Sequence, residues 1–421
     1  MINSDSVFQK LQSLTPSKQF LIAYSGGLDS HVLLHLMSHL TDSDIKVRAL
    51  HINHGLQKEA ESWVVHCQNI CKNLSIPFHH ISIDLQIKKS ESVEDAARKG
   101  RYKALLESLQ ENEVLLTAHH QNDQAETFLL QLFRGAGVNG LAAMPEIREV
   151  SVGSKLKQHA RPLLDLPLQS LKVYAKQYGL DYIQDPSNKS DVFDRNFLRN
   201  QIMPQLKSRW PGLDKTISRS ASIQAESKLL LDELAEQELK LIVSNKDNTI
   251  SIAKLLQFSA IKQKLVMRYW ITQSGFVSPS DKKLAHIFFD VVKAREDAQP
   301  LIEWQDVQIR RYQNRLYIMS ALVEHDHTKI IQWDTDKPLQ IPELGVTLQP
   351  QLITSSKLIN KKSLVTVRFR QGGETLMASK KGISISLKNL LHEAGIPPWL
   401  RSRIPLIFID NELTLVVGVS D

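Results

Sequence analysis

The stretch Ser25-Gly26-Gly27-Leu28-Asp29-Ser30 decides the fold of this chain. It follows an apolar run, Gln19 to Tyr24, and precedes a second one, His31 to Leu40. Two glycines let the backbone approach a ligand closely and adopt φ angles that other residues avoid. A helix that begins directly after them points free N–H groups and the positive end of its dipole at the same place. The pattern therefore predicts a strand, a phosphate-binding turn and a helix.

The phosphate-binding stretch is not the usual nucleotide-triphosphate loop, because no lysine follows the glycines. Ser-Gly-Gly-x-Asp-Ser after an apolar strand resembles the PP-loop of the ATP pyrophosphatases. Those enzymes cleave ATP between the α- and β-phosphates and adenylate a substrate, and the loop binds the pyrophosphate that leaves. A plain Gly-Gly turn between a strand and a helix is the alternative.

Composition predicts a globular protein of two or three domains. The chain has 421 residues, of which 42% are apolar and 23% are charged. It has no run of about 18 apolar residues, so we expect no membrane span. The polar start of the chain, Met1 to Lys18, lacks the apolar core of a signal peptide, which predicts a cytoplasmic location.

The only two cysteines, Cys67 and Cys71, are one helical turn apart. No second pair of ligands with zinc spacing accompanies them, so we expect two small buried helix residues. Some PP-loop enzymes that modify tRNA transfer sulfur with cysteines. The absence of a Cys-x-x-Cys pair argues against that chemistry here.

The positive charge is concentrated at the end of the chain. Residues 357–421 contain ten Lys and Arg against five Asp and Glu, whereas the rest of the chain is almost neutral; the net charge of the whole is +7. A basic terminal module suits a phosphate backbone. A solvated basic surface is the alternative.

The first two hundred residues alternate apolar strands with helical stretches, as βαβ units on a parallel sheet do. The predicted strands are Phe20–Tyr24, Val47–Asn53, Phe78–Leu85 and Val114–Ala118. Parallel sheets bind ligands at the carboxyl ends of their strands. The fold class expected for this part is therefore α/β, with a Rossmann-like parallel sheet.

Beyond Trp210-Pro211-Gly212 the pattern changes, and three domains are expected: 1–214, 215–330 and 355–421. The middle domain is mostly helical and begins with a long helix, Ala225 to Val243, while Pro300 to Leu322 alternates like a hairpin. The last domain is a small α+β module. Its predicted elements are a strand Leu364–Arg370, a helix Ser386–Ala394 and a hairpin Leu406–Val417 that turns at Asp410-Asn411.

Polar groups lie at the end of the second predicted strand and in the region after the third predicted strand. His51 to Leu56 ends the second strand, where polar side chains can meet a nucleotide or simply form a polar turn. Arg98 and Arg101 share a helix face and suit a phosphate or a carboxylate, with a solvated surface pair as the alternative. Their helix starts at a capping-box-like Ser92-Val93-Glu94-Asp95.

The richest cluster is His119 to Thr127, after the fourth predicted strand. His119, Asp123 and Glu126 stand at i, i+4 and i+7, which predicts one shared helix face. An imidazole and two carboxylates beside a phosphate site can hold magnesium, bind an amine or move protons. Arg134 to Leu141 contains Gly-x-Gly-x-x-Gly after a helix rather than a strand, so we expect a flexible loop that closes over the site.

These motifs together resemble the tRNA(Ile)-lysidine synthases over nearly the whole chain. The residues that carry the resemblance are Ser25–Ser30, His51–Leu56, Ala96–Arg98, Arg101–Tyr102, His119–Thr127, Arg134–Gly135, Gly140–Leu141, Arg161–Leu164, Asp185, Ser187–Asn188, Arg195, Asn196 and Arg199. The run from Phe369 to Leu406 also resembles that family's terminal domain.

The resemblance implies a two-step reaction on the wobble cytidine of a tRNA(Ile) with a CAU anticodon. ATP adenylates the C2 oxygen of the cytidine and releases pyrophosphate; the ε-amine of free L-lysine then attacks C2 and expels AMP. ATP and Mg²⁺ are the implied cofactors. The tRNA is the implied macromolecular partner, no membrane is involved, and a homodimer is left open.

The implied site residues fall into three groups. The nucleotide is bound by Ser25, Gly26, Gly27, Leu28, Asp29, Ser30, His51, Arg98 and Arg101. The chemistry is carried by Asp29, His119, Asp123, Glu126 and Arg195, and magnesium is held by Asp29 and Glu126. Arg98, Arg101 and Arg195 are open between the lysine carboxylate, the α-phosphate and the tRNA backbone.

Two other functions compete with this one. The first is a PP-loop ligase that adenylates a small metabolite, which the basic terminal module and the extra domains disfavour. The second is a tRNA-binding protein with a non-catalytic nucleotide fold, which the joint presence of His119, Asp123 and Glu126 disfavours.

Overall fold

The computed structural model describes residues 2–40, 42, 44–55, 59–84, 93–153, 155–295, 298–354, 363–378 and 383–419. The chain forms two compact units, Met1–Leu231 and Asp232–Asp421. Leu56, Leu85, Ser92 and the side chains of Glu94 and Asp95 lie outside the described residues, so the predicted end of the third strand and the predicted cap of the Arg98 helix stay predictions. None of the described helices is both long enough and apolar enough to cross a lipid bilayer.

The first unit alternates helices and strands up to residue 160 and is helical after that. Its elements are α1 Ser4–Leu14, β1 Gln19–Ala23, α2 Leu28–Ser38, β2 Lys46–Asn53, α3 Ala60–Asn73, β3 Phe78–Ser82, α4 Val93–Glu107, β4 Glu113–Leu116, α5 Gln121–Phe133, α6 Val138–Leu141, β5 Ile147–Val152, β6 Lys155–Ala160, α7 Leu168–Gln177, α8 Asp194–Phe197 and α9 Met203–Arg209. A 3₁₀ turn at Pro186–Lys189 and a π-helical turn at Leu198–Ile202 complete it. The 30-residue helix α10, Leu213–Ile242, begins in this unit.

A six-stranded sheet in the order β3-β2-β1-β4-β6-β5 forms the centre of this unit. Five of its strands are parallel, and β5 pairs antiparallel with β6. The expected parallel α/β fold is therefore confirmed. The four predicted strands are present, each within a few residues of its predicted ends, whereas β5 and β6 were not predicted.

Both faces of β1 and β4 are buried, which is why these two strands are almost continuous apolar runs. Phe20 and Ile22 on β1 belong to one hydrophobic core, together with residues of α2, α3 and α7. Leu21, between them, belongs to a second core on the other face, with Leu105 of α4. Helices on both faces thus leave the carboxyl ends of the strands as the open edge.

The second unit has a mostly helical first part and a strand-rich second part. After the end of α10 its elements are β7 Ile250–Ser251, α11 Ile252–Leu255, α12 Ala260–Gln273, α13 Asp281–His286, a π-helical turn Ile287–Val292, β8 Leu301–Trp304, β9 Val307–Tyr312, β10 Arg315–Ser320, β11 Ile331–Gln332, β12 Leu339–Ile341, a 3₁₀ turn Pro342–Leu344, β13 Val346–Leu348, α14 Gln351–Thr354, β14 Val365–Arg368, β15 Thr375–Ala378, β16 Ile383–Ser386, α15 Leu387–Glu393, α16 Pro398–Arg401, β17 Leu406–Ile409 and β18 Glu412–Val416.

The observed elements differ from the expected ones in three places. The long helix α10 starts at Leu213 rather than at Ala225, directly after the predicted break. The expected hairpin between Pro300 and Leu322 is a three-stranded meander, because a turn after Trp304 precedes the predicted turn at Gln313. The core that contains Val365 and Ile407 also includes Trp333 and Leu348, so this core draws on residues that precede 355.

The terminal hairpin shows how local sequence specifies a turn. Asp410 and Asn411 both have positive φ, 48° and 72°, between the paired strands β17 and β18. Two-residue turns of this kind match the twist of the strands and accept Asn and Asp. The helix and the strand predicted beside it are also present, as α15 and β14.

Candidate active site

The PP-loop, residues 25–30, joins the carboxyl end of β1 to the start of α2. Gly27 is the N-cap of α2 and no side chain caps this end, so the first N–H groups of the helix are left for a ligand. The Ser25 and Ser30 hydroxyls lie 3.0 Å apart, and that of Ser30 donates to the Gly27 carbonyl at 3.1 Å. Backbone amides and two hydroxyls are the groups that bind phosphate oxygens.

Gly26 is required at its position for two reasons. Its φ is +82°, which other residues rarely adopt. A Cβ there would overlap Cδ1 of Ile183 and lie only 2.8 Å from Sγ of Cys67. The Ile183 amide also donates to the Gly26 carbonyl at 2.9 Å, so the segment at Ile183 packs directly on the loop.

His120 lies between two carboxylates at this edge. Its Nε2 is 3.6 Å from Oδ2 of Asp29 on α2 and 3.4 Å from Oδ2 of Asp123 on α5. Its side chain also caps α5, accepting from the Asn122 amide, while Asp123 accepts from the His120 amide at 3.1 Å. The imidazole thereby links the PP-loop helix to the helix that follows β4.

Asp123, Glu126, Arg195 and Arg199 form an ion cluster. Arg195 donates to Asp123 and Glu126, at 2.9 Å each. Arg199 donates to both oxygens of Glu126 at 2.7 Å and to Asp123 at 3.0 Å. Glu126 is 2% exposed, and both of its oxygens accept hydrogen bonds from these arginines inside the protein. Two carboxylates and two guanidiniums balance in charge, as burial requires.

The local backbone explains why both arginines reach the same carboxylates. Arg195 lies in α8 and Arg199 in the π-helical turn that follows it, four residues later. Residues four apart project from one side of a helix. π-Helical turns are often found at functional sites, where they redirect side chains.

Asp123 of the ion cluster and His120 shift each other's pKa. Burial by itself would raise the pKa of Asp123, but the charges of His120 and Arg195 lower it to about 2. Burial would lower the pKa of His120, but its hydrogen bond to Asp29 and the charge of Asp123 outweigh burial and raise it. Asp123 is therefore ionised at neutral pH, and His120 is a stronger base than a free imidazole.

His119 does not share the helix face of Asp123 and Glu126, so this prediction is wrong. The helix starts at Gln121 with His120 as its cap, which leaves His119 in the preceding turn. Its Nδ1 is 2.8 Å from the Thr117 hydroxyl. Burial and the charges of Arg161 and Arg195 outweigh the opposite effect of Asp123 and lower the pKa of His119 to about 3. The imidazole beside the carboxylates is that of His120.

Two site residues were thus missed from the sequence, His120 and Arg199. His120 directly precedes a Gln-Asn-Asp helix start, and a cap position is a usable signal for it. Arg195 and Arg199 are four residues apart, but their partners on α5 are 69 to 76 residues away in sequence.

The other predicted nucleotide-binding residues occupy the neighbouring strand end and α4. The His51 Nδ1 is 2.9 Å from the Tyr24 carbonyl, which fixes that buried ring against β1. Arg101 Nε lies 3.1 Å from Nε2 of His54, whose pKa burial and the Arg101 charge lower to about 4. Arg98 is exposed, with its guanidinium carbon 5.5 Å from the centre of the Tyr102 ring.

The expected loop at residues 134–141 contains a short helix, α6. Gln124 of α5 bonds to both backbone groups of Met144, at 2.9 and 3.0 Å, which holds the segment after α6 to the site helix. Part of the expected loop is therefore helical, and its closure over the site stays a prediction.

Cys67 and Cys71 are fully buried on α3, as predicted. Burial raises the pKa of each thiol to about 12, so neither is a thiolate at neutral pH. Within the described ranges, no group of three or more His, Cys, Asp and Glu side chains is arranged to hold a metal ion.

Family models match three segments of this chain. A family model described as a PP-loop domain matches residues 2–206, and the TilS substrate binding domain and TilS substrate C-terminal domain match residues 250–317 and 365–420. The tRNA(Ile)-lysidine synthase of Coxiella burnetii is 44% identical over 98% of this chain and 92% of that protein. This chain belongs to the tRNA(Ile)-lysidine synthases.

The lysidine synthase of Edwardsiella ictaluri is 37% identical over 96% of this chain and 92% of its own length. Among solved structures, the U34-tRNA thiolase NcsA from Methanococcus maripaludis is 19% identical over 53% of this chain and 78% of its own, with a TM-score of 0.45. As a lysidine synthase with a PP-loop domain, this enzyme is an ATP-dependent ligase that forms lysidine at the wobble position of tRNA(Ile).

Proposed function

We propose that the edge between the PP-loop and the ion cluster carries out both steps of lysidine formation. The observation that carries this proposal is His120, which contacts Asp29 of the PP-loop helix and Asp123 of the ion cluster. Adenylation of the cytidine C2 oxygen breaks the α–β bond of ATP and releases pyrophosphate. Attack of the lysine ε-amine at C2 then breaks the C2–O bond and releases AMP.

The PP-loop binds the pyrophosphate that leaves in the first step. The uncapped start of α2 supplies amide donors, and Ser25 and Ser30 supply hydroxyls. These donors are fixed before ATP binds, so the charge that develops on the leaving group meets an oriented site. Arg101, held against His54, lies at the neighbouring strand end and is proposed to contact the nucleotide.

Free lysine is the proposed second substrate, and Asp123 binds its ε-ammonium group. The low pKa of Asp123 keeps this carboxylate charged, as an ammonium partner requires. The amine must lose a proton before it attacks, and His120 in its neutral form can accept that proton, because its raised pKa makes it the stronger base of the two histidines. His120 suits this better than His119, because a group with a pKa near 3 is a weak acceptor.

Arg195 and Glu126 act on this chemistry by holding Asp123. Arg195 bridges the two carboxylates, and Glu126 accepts from both Arg195 and Arg199. If the cluster fixes Asp123, removing either partner should slow the second step more than the first.

Magnesium is proposed at Asp29. The Oδ1 atom of Asp29 is buried and has no hydrogen-bond partner among the described residues, which suits an oxygen ligand for a cation. Glu126 fits less well, because both of its oxygens already accept from arginines. When bound, the ion offsets negative charge on the phosphates.

A cytoplasmic location and a homodimer are also proposed. The first is supported by the tRNA substrate. The second is supported by Leu229 and Leu230 on α10, which are 63% and 68% exposed. Light scattering of the purified enzyme measures the assembly directly; a monomer mass at micromolar concentration would reject the dimer.

A stepwise product assay tests the proposal. With a tRNA that bears CAU and no lysine, the enzyme should release pyrophosphate and accumulate adenylated tRNA, and lysine should then release AMP and give lysidine. Asp123→Asn should slow the lysine step by at least about tenfold. Asp194→Asn serves as the matched control. Asp194 forms an exposed ion pair with Arg134, at 3.9 Å.

Three outcomes would contradict the proposal. Turnover of ATP without tRNA would indicate a small-metabolite ligase. Binding of tRNA without any ATP turnover would indicate a non-catalytic protein. An Asp123→Asn enzyme that makes lysidine at the rate of the control would show that the site is elsewhere.

A further inference from the structure

Arg98, Arg148 and Arg161, the arginine cluster, lie beside the active site but play no part in the steps above. Arg161 follows β6, whose neighbour β4 leads to His119. Arg148 on β5 is paired in register with His159 on β6. The cluster therefore stands at the same edge of the sheet as the active site.

Among the described residues, no carboxylate neutralises the charge of the cluster. Arg161 is only 3% exposed; it donates to the Pro145 carbonyl at 2.7 Å, and its buried Nε has no hydrogen-bond partner in the described part of the chain. Across the residues that the structure describes, no carboxylate lies within 4 Å of Arg98, Arg148 or Arg161. A buried guanidinium normally has an anionic partner.

His159 contacts two arginines of the cluster and supplies no negative charge to them. The His159 Nδ1 lies 3.3 Å from Nη2 of Arg161 and 3.4 Å from Nε of Arg148, so it accepts from both. Burial and the charges of Arg161 and Arg148 lower the pKa of His159 to about 2, which keeps it neutral. His159 thus orients the guanidiniums without adding charge or cancelling it.

Tyr102 holds the two exposed arginines together. The guanidinium carbons of Arg98 and Arg148 lie 5.5 and 5.9 Å from the centre of its ring. Attraction to an aromatic ring offsets part of the repulsion between the two cations and fixes their positions. Two oriented guanidiniums at the surface, with a third charge behind them, make a strong and rigid anion site.

We propose that Arg98 and Arg148, backed by Arg161, bind backbone phosphates of the tRNA anticodon loop beside the wobble nucleotide. Three positive charges suit consecutive phosphates of an RNA strand, whereas one lysine carboxylate would neutralise only one of them. Arg98 and Arg148 are exposed, so an RNA strand can reach them, whereas it could not enter a buried site. The inference rests on the proposed function and places part of the tRNA contact on the catalytic unit.

Lysidine formation by the full-length enzyme, measured against the concentrations of tRNA, lysine and ATP, tests the assignment. Arg98→Gln and Arg148→Gln should each raise KM for tRNA roughly fivefold and reduce the slope of log kcat/KM against log salt by about 0.7. KM for lysine and for ATP should stay within about twofold. Arg148→Lys should keep the salt slope, because it keeps the charge.

Lys155→Gln is the matched control, since it removes one exposed positive charge from the far end of the same β5–β6 hairpin. If KM for lysine rises and KM for tRNA does not, the cluster binds the lysine carboxylate and the proposal is overturned. Arginine variants that match Lys155→Gln in every parameter would overturn it as well. Failure of the proposed function would appear differently, as a wild-type enzyme that forms no lysidine.

Discussion

The PP-loop and the ion cluster are two polar sites built in opposite ways. The PP-loop uses backbone amides and small hydroxyls, and its key residue, Gly26, contributes by having no side chain. The ion cluster uses long charged side chains from α5 and from α8 and its following turn, whose contacts span 69 to 76 residues of sequence. A backbone site depends on local conformation, and a side-chain site depends on tertiary contacts.

The largest effect is expected where the ion cluster loses a charge. Glu126→Gln leaves two guanidiniums facing one carboxylate in a site that is 2% exposed, so the free energy of unfolding should fall by about 3 kcal/mol or more. Urea denaturation measures this change. The control Asp194→Asn should leave stability unaltered, because its pair with Arg134 is exposed. Equal stability of both variants would mean that the cluster is not a structural unit.

The second effect breaks the PP-loop while leaving the ion cluster intact. Gly26→Ala forces a Cβ onto Ile183 and Cys67 and strains a φ of +82°, so the loop should shift. We expect kcat/KM for ATP to fall about 100-fold, which steady-state pyrophosphate release measures. Gly212→Ala, at a glycine with open space and no positive φ, is the control. A Gly26→Ala enzyme as active as that control would show that the loop tolerates a side chain.

The third test separates the two adjacent histidines that lie between these regions. His120→Gln removes the contact to Asp29 and Asp123, and single-turnover AMP release should slow by about 100-fold. His119→Gln should slow it by less than about tenfold, because His119 contacts Thr117 instead. The reverse order of effects would restore His119 as the catalytic imidazole.

The smallest effects concern protonation. The pKa of His54 is about 4, below the ordinary value near 6.5, so the unfolded chain binds a proton first and His54 lowers stability as the pH falls from about 6.5 to 4. The pKa of His120 is raised, so its contribution is present below pH 6.5 and is lost as the pH rises through the pKa of the folded state.

A titration followed by NMR of the ring carbons checks both directions in one experiment. His120 should titrate above the ordinary histidine value and His54 well below it. Shifts in the same direction would contradict the opposite environments, with carboxylates around one ring and Arg101 beside the other.

The fold was largely predictable, because its signals are local. Apolar runs placed the strands β1, β2, β3 and β4, and Asp410-Asn411 placed the terminal turn. The strands β5 and β6 were not predicted, because polar and charged residues such as Arg148, Lys155 and Lys157 interrupt their apolar residues. An apolar run is a signal only where both faces of a strand are buried.

The position of the site was predictable, but the contacts between its side chains were not. Asp29, Asp123 and Glu126 do lie at the carboxyl edge, yet the choice of His119 over His120 depended on where a helix begins, and boundaries are the least certain part of a pattern. The role of Glu126 as a partner of two arginines depended on Arg199, whose distance along the chain carries no local signal.

The sequence by itself determined the PP-loop, the parallel sheet and the kind of ligand, because glycine conformation, helix dipoles and apolar periodicity are properties of short segments. Only the tertiary structure decided which charges meet. It paired Glu126 with Arg199, set His120 between Asp29 and Asp123, and left Arg161 without a carboxylate among the described residues. Electrostatic energy depends on distances in space and on burial, and neither is written in the order of the residues.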